Sequence, residues 1–545
     1  MQSNVKSCNQ TEATEVKTTV MERKSVFLPE EVPPTAEAAV TTNGGKSAEA
    51  IVPLRGRAEP VRCENNRNQM GTGLENVWHE VCREAVCIVG RGAERRSSRA
   101  VECPHPSGYI GTSSTKFETV TLERIPEGGN MMRAYRSVCA NKGSAGVDGM
   151  KTSDLLPFIK SHPHLISESV RTGKYRPSPI RRVYIPKDNG EQRPLGIPTV
   201  VDRLIQQATA QVLSDAYEEV FSENSFGFRP KRSCKDAINR ALEYVNDGYD
   251  WVIDLDLSKF FDTVNHSKLL QLLSDRIKDG RVISLIHKFL RAPICENGVV
   301  GKKTTVGTPQ GGCSSPVLAD ILLNELDTLL DSRGIRFVRY ADDMVIMCHS
   351  KKAAERILSH VKKYVEEKLF LKVNETKTKI VRAGHDTQFL GFAFTQSVAA
   401  WRRKEYPLRT LFATVHRKKR DKLIKVLKEL LGRRAKGGIE RVKMLLRLKL
   451  RGWCNYFGEA IPVSWRDRVD QWMRRRIRQL LWKQWKKPEN RRREFCKRLR
   501  KAPPQGAVAF SSNRYWRMSE NWYIHTALSN KQLEREGWSW LSLYS

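Results

Sequence analysis

Apolar positions along this chain change their period several times, and the changes mark out elements. Residues 201–221, VDRLIQQATAQVLSDAYEEVF, carry them at helical spacing. Residues 315–334, SPVLADILLNELDTLLDSRG, repeat that pattern and stop at a glycine, a helix terminator. A third helix is predicted within AAERILSHVKKYVEEKLF. Strand character appears between them. IRRVYIPK (180–187) alternates, and DNGEQRP after it reads as a turn. WVIDLDLSKFFDTV (251–264) begins as a strand, and TQFLGFAF (387–394) is predicted as another. RFVRYADDMVIM (336–347) sets Phe337, Val338 and Tyr340 before Asp342 and Asp343, and an apolar run after them. After about residue 400 strands nearly vanish, and RDKLIKVLKELL, GIERVKMLLRLKLRGWCNYFG and WRDRVDQWMRRRIRQLLWKQWKK read as helices. Strands and helices without strict alternation predict an α+β fold rather than a doubly wound one.

Residues 1–117 differ from the rest. LPEEVPPTAEAAVTTNGGKSAEA has little periodicity and the composition of a poorly ordered extension, with one short helix expected in ENVWHEVCREAVCIV. The expected organisation is an extension (1–117), an α+β region (118–396), a helical region (397–500) and a basic, aromatic C-terminal segment (501–545).

Charge sharpens this picture. Lys and Arg number 95 against 60 Asp and Glu. Such an excess points to a polyanionic partner, with phosphate backbone the default candidate. Residues 401–545 hold 39 of the basic residues and 12 of the acids. Trp, Leu and Tyr at helical spacing predict a folded basic surface there rather than a disordered arm. Trp465, Val469, Trp472, Ile477, Leu480 and Leu481 line one stripe, which predicts core, while Arg468, Arg474, Arg475, Arg478 and Lys483 are expected to face elsewhere. Twelve cysteines without a CxxC pair argue against a zinc ribbon and a disulfide framework, and suit a reducing compartment. No run approaches the roughly 18 apolar residues of a membrane helix, and MQSNVKSCNQTEATEVKTTV lacks the apolar core of a secretory signal, so a cytosolic protein is expected.

The candidate chemistry lies in carboxylates. In a strand through DLDLSKFFD, Asp254 and Asp256 share one face, while Ile253, Leu255 and Leu257 take the other. Asp342 and Asp343 fit two readings. They can form a tight turn, which Asp favours, or hold a metal ion, since burying an unpartnered carboxylate is costly. Mg²⁺ is usually held by one or two carboxylates plus substrate phosphates. Two such ions about 3.5–4 Å apart can serve the attacking and leaving oxygens of a phosphoryl transfer. Acids from two strands on a basic scaffold therefore suggest nucleotidyl transfer.

At this point the residues resemble a known family. YADD (340–343) is similar to the palm motif of reverse transcriptases, and the flanking blocks resemble, in order, the group II intron-encoded reverse transcriptases with maturase function. These blocks are ANKGSAGVDG (140–149), IPKDNGEQRPLGIPTVVDRLIQQA (185–208), SFGFRPKRSCKDAI (225–238) and DLDLSKFFDTVNH (254–266). They continue with GTPQGGCSSPVLADILLNELD (307–327), LKVNETKTKIV (371–381) and FLGF (389–392). RLKLRGWCNYFG (447–458) resembles the maturase-specific domain. The resemblance covers about residues 118–545, and the lack of a Cys-pair or His-rich nuclease module looks most like the compact bacterial subclass.

The resemblance implies a right-hand fold of fingers and palm followed by an all-helical thumb and maturase domain. It implies that Asp256, Asp342 and Asp343 bind two Mg²⁺ ions and catalyse RNA-directed DNA synthesis. Asp256 rather than Asp254 is assigned because Phe261 then falls five residues on, at the family's steric gate against a ribose 2′-OH. Lys187 and Arg193 match finger residues that grip the triphosphate, Gln310 the residue beside the incoming nucleotide, and Lys377 a lysine that protonates pyrophosphate. Arg451, Arg474, Arg475 and Arg478 are expected RNA contacts. Implied partners are the intron RNA, a DNA target or primer and dNTPs, in the bacterial cytosol and at the nucleoid; a homodimer is left open. Plain alternatives stand beside these roles: solvated turn charges for Lys187 and Arg193, core for Phe261, an ordinary lysine near a strand start for Lys377. Two other functions are weighed. A splicing cofactor with a dead polymerase is disfavoured by the three acids, and a retron-like or defence reverse transcriptase by the maturase-like stretch.

Overall fold

The computed structural model describes residues 115–186, 190–398, 400–432, 437–499, 508 and 514–544. Lys187 and the helix expected in ENVWHEVCREAVCIV lie outside the described residues. Helix α1 (Gly128–Ala140) precedes the hairpin of β1 (Ile180–Pro186) and β2 (Gln192–Ile197). Helix α2 (Val200–Tyr217) starts at Thr199, whose hydroxyl accepts from Asp202 N–H. Helix α3 (Cys234–Asn246) opens on a reciprocal capping box between Ser233 and Asp236. Then come β3 (Trp251–Leu255), the single turn α4 (Phe260–Thr263), α5 (His266–Ser274), α6 (Gly280–Leu290), β4 (Ile294–Glu296) and β5 (Val299–Val300). Helix α7 (Ser315–Ser332) leads to β6 (Arg336–Tyr340), β7 (Asp343–Cys348), α8 (Lys351–Glu367) and β8 (Lys379–Arg382).

Two four-stranded sheets result. One has the order β2-β1-β4-β5. The central one has the order β6-β7-β3-β8, with every neighbour antiparallel. Alternation divides the central sheet into two faces. Ile253, Leu255, Phe337, Met344 and Ile346 belong to a core shared with α2, α5, α6, α7 and α8. Val252, Val338, Val345 and Met347 belong to a second core. Both faces are covered, so all six residues of β7 are buried, and the strand reads as an almost unbroken apolar run.

The second core continues through the rest of the chain. It takes in the two-stranded sheet of β9 (Phe392–Thr395) and β10 (Phe412–Val415). It includes residues of α9 (Arg417–Leu430), α10 (Ile439–Phe457), α11 (Val463–Gln484) and α12 (Pro488–Arg498), and of the segment 514–544. Trp482, fully buried, packs edge-on to Trp485 and tilted on Phe495, ring centroids about 6 Å apart in both cases. Arg491 lies over the Trp482 ring at 4.3 Å.

One predicted strand is corrected. TQFLGFAF is not extended throughout. Leu390 (φ 51°) and Gly391 (φ 85°) are left-handed and make a tight turn. Phe389 and Phe392 exchange backbone hydrogen bonds of 3.1 and 2.8 Å across it, and only Phe392–Thr395 forms β9. Apolar alternation registers burial, and a leucine rarely signals a left-handed turn.

The second core carries a direct expectation. Trp482→Ala should lower unfolding stability by about 3–5 kcal/mol, measured as a shift in the denaturation midpoint.

Candidate active site

The candidate acids meet at one end of the central sheet. β3 pairs with β7 so that Asp254 opposes Val345 and Leu255 opposes Met344. Continued by one residue, that register sets Asp256 against Asp343. Val252 and Val345 assign this face to the second core, and by alternation Asp254, Asp256 and Asp343 all belong to it. Asp256 and Asp343 are 7% and 8% exposed. Asp342 is half-buried at the tip of the β6–β7 hairpin, where Tyr340 pairs with Asp343 across a turn of only two residues. The tight turn is therefore formed, and it carries Asp342 and Asp343 at the same end of the sheet as Asp256.

Asp256 is fastened by the segment 371–378. Its N–H donates to Thr378 Oγ1 (3.2 Å), and its carbonyl accepts from Asn374 N–H (2.8 Å). Lys377 Nζ lies 3.4 Å from Asp256 Oδ2, with the lysine side chain 58% exposed. Lys259, left-handed at φ 47°, then turns the chain into α4. Phe261 is buried there, edge-on to Phe260 at 5.2 Å.

The loop 307–312 ties this region to the other sheet. Thr308 N–H donates to Phe261 O (2.6 Å), and Gly196 N–H of β2 donates to Gln310 O (3.0 Å). Arg193 Nε donates to Gln310 Oε1 at 2.8 Å, so two residues expected to meet one nucleotide touch each other. Gly311 (φ 131°) has no room for a side chain, since a Cβ would come within 2.4 Å of Gly196 O. Buried His266 holds the loop's start through a 2.7 Å hydrogen bond between Nε2 and Gly307 O.

Sequence patterns alone left out the support of the hairpin. Arg339, on β6, is buried against Asp320 and Asp327 of α7. Its Nη1 donates to Asp320 Oδ1 (2.7 Å) and to Ala341 O (3.0 Å), and Nε donates to Asp327 at 2.9–3.0 Å. Burial pushes the Asp320 carboxyl up to about 6 against the pull of Arg339, and raises Asp327 too. Gly227 packs on the same turn, where a Cβ would stand 2.2 Å from Ala341 N. The available signal was a cation inside an apolar strand and two acids seven residues apart on one helix face.

The basic helices divide into two groups. Arg451 is exposed on α10. Arg474 and Arg475 are half-buried over Trp540 (5.3 Å) and Trp516 (3.8 Å), and Arg475 pairs with Glu520. Arg478 is a correction. It is 3% exposed, donating from Nε to Leu528 O (2.9 Å) and from Nη2 to Asn530 Oδ1 (3.0 Å). Burial holds its guanidinium down to about 10. Residues 528–530 cover this side of α11, so Arg478 is a structural contact rather than an outward one.

Among the described residues no three His, Cys, Asp or Glu side chains group closely enough to hold a metal ion. The donor chemistry at the strand ends is carboxylate oxygen. It fits Mg²⁺, which takes water and substrate phosphates for its remaining ligands.

His266 yields a pH expectation. Burial holds its imidazole below the ordinary value, with His287 and Arg291 adding to the effect and the Gly307 bond opposing it. A depressed folded value means a stability contribution present above the ordinary value of about 6.5 and lost as pH falls through the folded one. Wild type should lose more stability between pH 7.5 and 5.5 than His266→Gln, whose amide can still donate to Gly307 O; chemical denaturation at both pH values checks this.

Residues 185–394 match the family model for reverse transcriptase (RNA-dependent DNA polymerase), and residues 420–499 that for the group II intron maturase-specific domain. Protein YkfC of Escherichia coli is 33% identical over 301 residues, 48% of this chain and 79% of that protein. Group II intron-encoded protein LtrA of Lactococcus lactis is 32% identical over 324 residues, 48% of this chain and 54% of LtrA, so the chain spans about half of LtrA's length. Among solved structures, a partial Cas6-RT-Cas1–Cas2 complex is 23% identical with TM-score 0.30, covering 45% of this chain and 42% of that one. Telomerase from Candida albicans is 16% identical with TM-score 0.35, covering 53% and 57%. Two family models in this order, and a relative one-third identical over most of its own length, show that the chain belongs to the group II intron-encoded reverse transcriptase/maturase family.

Proposed function

We propose that this protein is the RNA-directed DNA polymerase of a group II intron, copying intron RNA into DNA for its mobility, and that it also binds the intron RNA and promotes its splicing. The observation that supports the polymerase reading is the register of β3 on β7, which ends with Leu255 against Met344 and so leaves Asp256, the next residue, at the end of the sheet where Asp343 begins β7. Membership of the reverse transcriptase family supports it. Residues 118–396 are the fingers and palm, 397–500 the thumb and maturase domain, and 501–545 a nucleic-acid-binding segment.

Asp256, Asp342 and Asp343 would hold two Mg²⁺ ions, which when bound lower the cost of charge on the attacking and leaving oxygens. Lys187 and Arg193 grip the triphosphate. Arg193 also orients Gln310 through their hydrogen bond, so the amide meets the nucleotide in one orientation. Phe261 screens the sugar's 2′ position. Lys377, within 3.4 Å of Asp256 and otherwise solvent-facing, is suited to hand a proton to departing pyrophosphate. Arg451, with Arg474 and Arg475 at their open edges, contacts RNA phosphates, which makes binding salt-sensitive. No described helix is long and apolar enough to cross a membrane. The protein acts on RNA in the cytosol and on DNA at the nucleoid.

Primer extension on an RNA template with Mg²⁺ and dNTPs tests this. Asp342→Ala/Asp343→Ala should lower extension at least about a thousandfold, the scale expected when charge stabilisation is removed, while intron RNA binding stays within about threefold, a change below 1 kcal/mol. A wild type that binds the RNA and promotes splicing, yet never extends a well-formed primer, would leave a splicing cofactor as the function.

A further inference from the structure

The central peptide of a two-residue hairpin turn belongs to neither strand's ladder. It is the backbone unit that can flip between turn types without breaking strand pairing. Here it joins Ala341 to Asp342, between the paired Tyr340 and Asp343. Ala341 is left-handed at φ 57°, a conformation that costs a non-glycine residue about 1–2 kcal/mol. The turn therefore needs holding from outside.

Arg339 meets that need. One nitrogen, Nη1, donates to the carbonyl of this central peptide, Ala341 O, at 3.0 Å and to Asp320 Oδ1 at 2.7 Å. Nε and Nη2 are engaged by Asp327 at 2.5–3.0 Å. The three side chains are 1%, 2% and 0% exposed, in the order Arg339, Asp320, Asp327. Two acids around one base is a poor stability device, since apolar residues of similar volume often do as well. The arrangement is better suited to geometry. Asp327 fixes the plane of the guanidinium, and Asp320 directs Nη1 so that its second hydrogen points at the turn.

We propose that Arg339, oriented by Asp320 and Asp327, is a positioning residue that locks the Ala341–Asp342 peptide and so aims the Asp342 carboxylate for polymerisation. The inference rests on the polymerase reading of Asp256, Asp342 and Asp343. The lock acts through the backbone and leaves the Arg193–Gln310 pair, on other elements, untouched.

The test uses the full chain and two variants. Asp320→Asn keeps the side-chain shape and removes the charge that directs Nη1. Arg339→Lys keeps the cation and loses the planar fork. Single-nucleotide incorporation gives kcat and the KM for dNTP, hydrogen–deuterium exchange follows the peptide 336–347, and thermal midpoints track global stability. Ile159→Val, a buried change in the first core, is the stability control. Each hairpin variant should lower kcat about tenfold, keep KM within about twofold and speed exchange in 336–347, where the control changes neither kcat nor that exchange. Wild-type kcat and exchange in either folded variant overturns the proposal. So does a fall in kcat in a folded variant whose exchange in 336–347 stays at the wild-type rate, since the turn is then not what Arg339 holds. If Asp320→Asn does not fold, Arg339→Lys decides alone. If wild type itself fails to extend primers, the polymerase reading falls, while the exchange comparison still reports whether the turn is locked.

Discussion

The antiparallel register of β3 on β7 is the constraint on which the rest of this molecule depends. A strand carries its side chains with a period of two, so a slip of one residue would send Asp343 to the opposite face from Asp256. Both faces are buried in separate cores, with Ile253 and Met344 in one and Val252 and Val345 in the other. The same apolar residues that build the sheet therefore forbid the slip. The strand positions of Asp254 and Asp343 are thus a by-product of hydrophobic burial.

Around that register the support is polar and local. Thr378, Asn374 and Lys377 hold Asp256 from one side. Arg339, on the hairpin's own strand β6, and Gly227, from the segment before α3, both meet the hairpin tip. The loop 307–312 is joined to Phe261, His266 and β2, which makes it the joint between the two sheets. In the proposed polymerase, a nucleotide handled by residues of both sheets would meet groups already connected to one another.

The basic helical region shows how charge count and charge use differ. Arg478 and Arg491 are buried, and Arg475 and Arg498 are ion-paired and stacked on Trp516 and Trp485. These cations build the fold through contacts with backbone carbonyls, rings and carboxylates. Arg451 and Arg468, by contrast, are exposed. A strong net charge identifies the class of partner without identifying which arginines meet it.

The sequence by itself located most of the long elements and singled out the candidate acids. Helical spacing located α2, α7 and α8 to within a few residues, alternation put Asp254 and Asp256 on one strand face, and the ordered blocks pointed to the family later found. These features are local or linear, and one-dimensional periodicity carries them. Tertiary structure decided what depends on partners distant in sequence. Leu390 turned where alternation suggested a strand, Arg478 went inside because residues fifty positions on cover its helix, and Asp320 and Asp327 became the anchors of Arg339. The physical reason is common to all three. Whether a polar group is satisfied depends on which atoms the fold brings within hydrogen-bonding distance, and that proximity is absent from the linear order of residues.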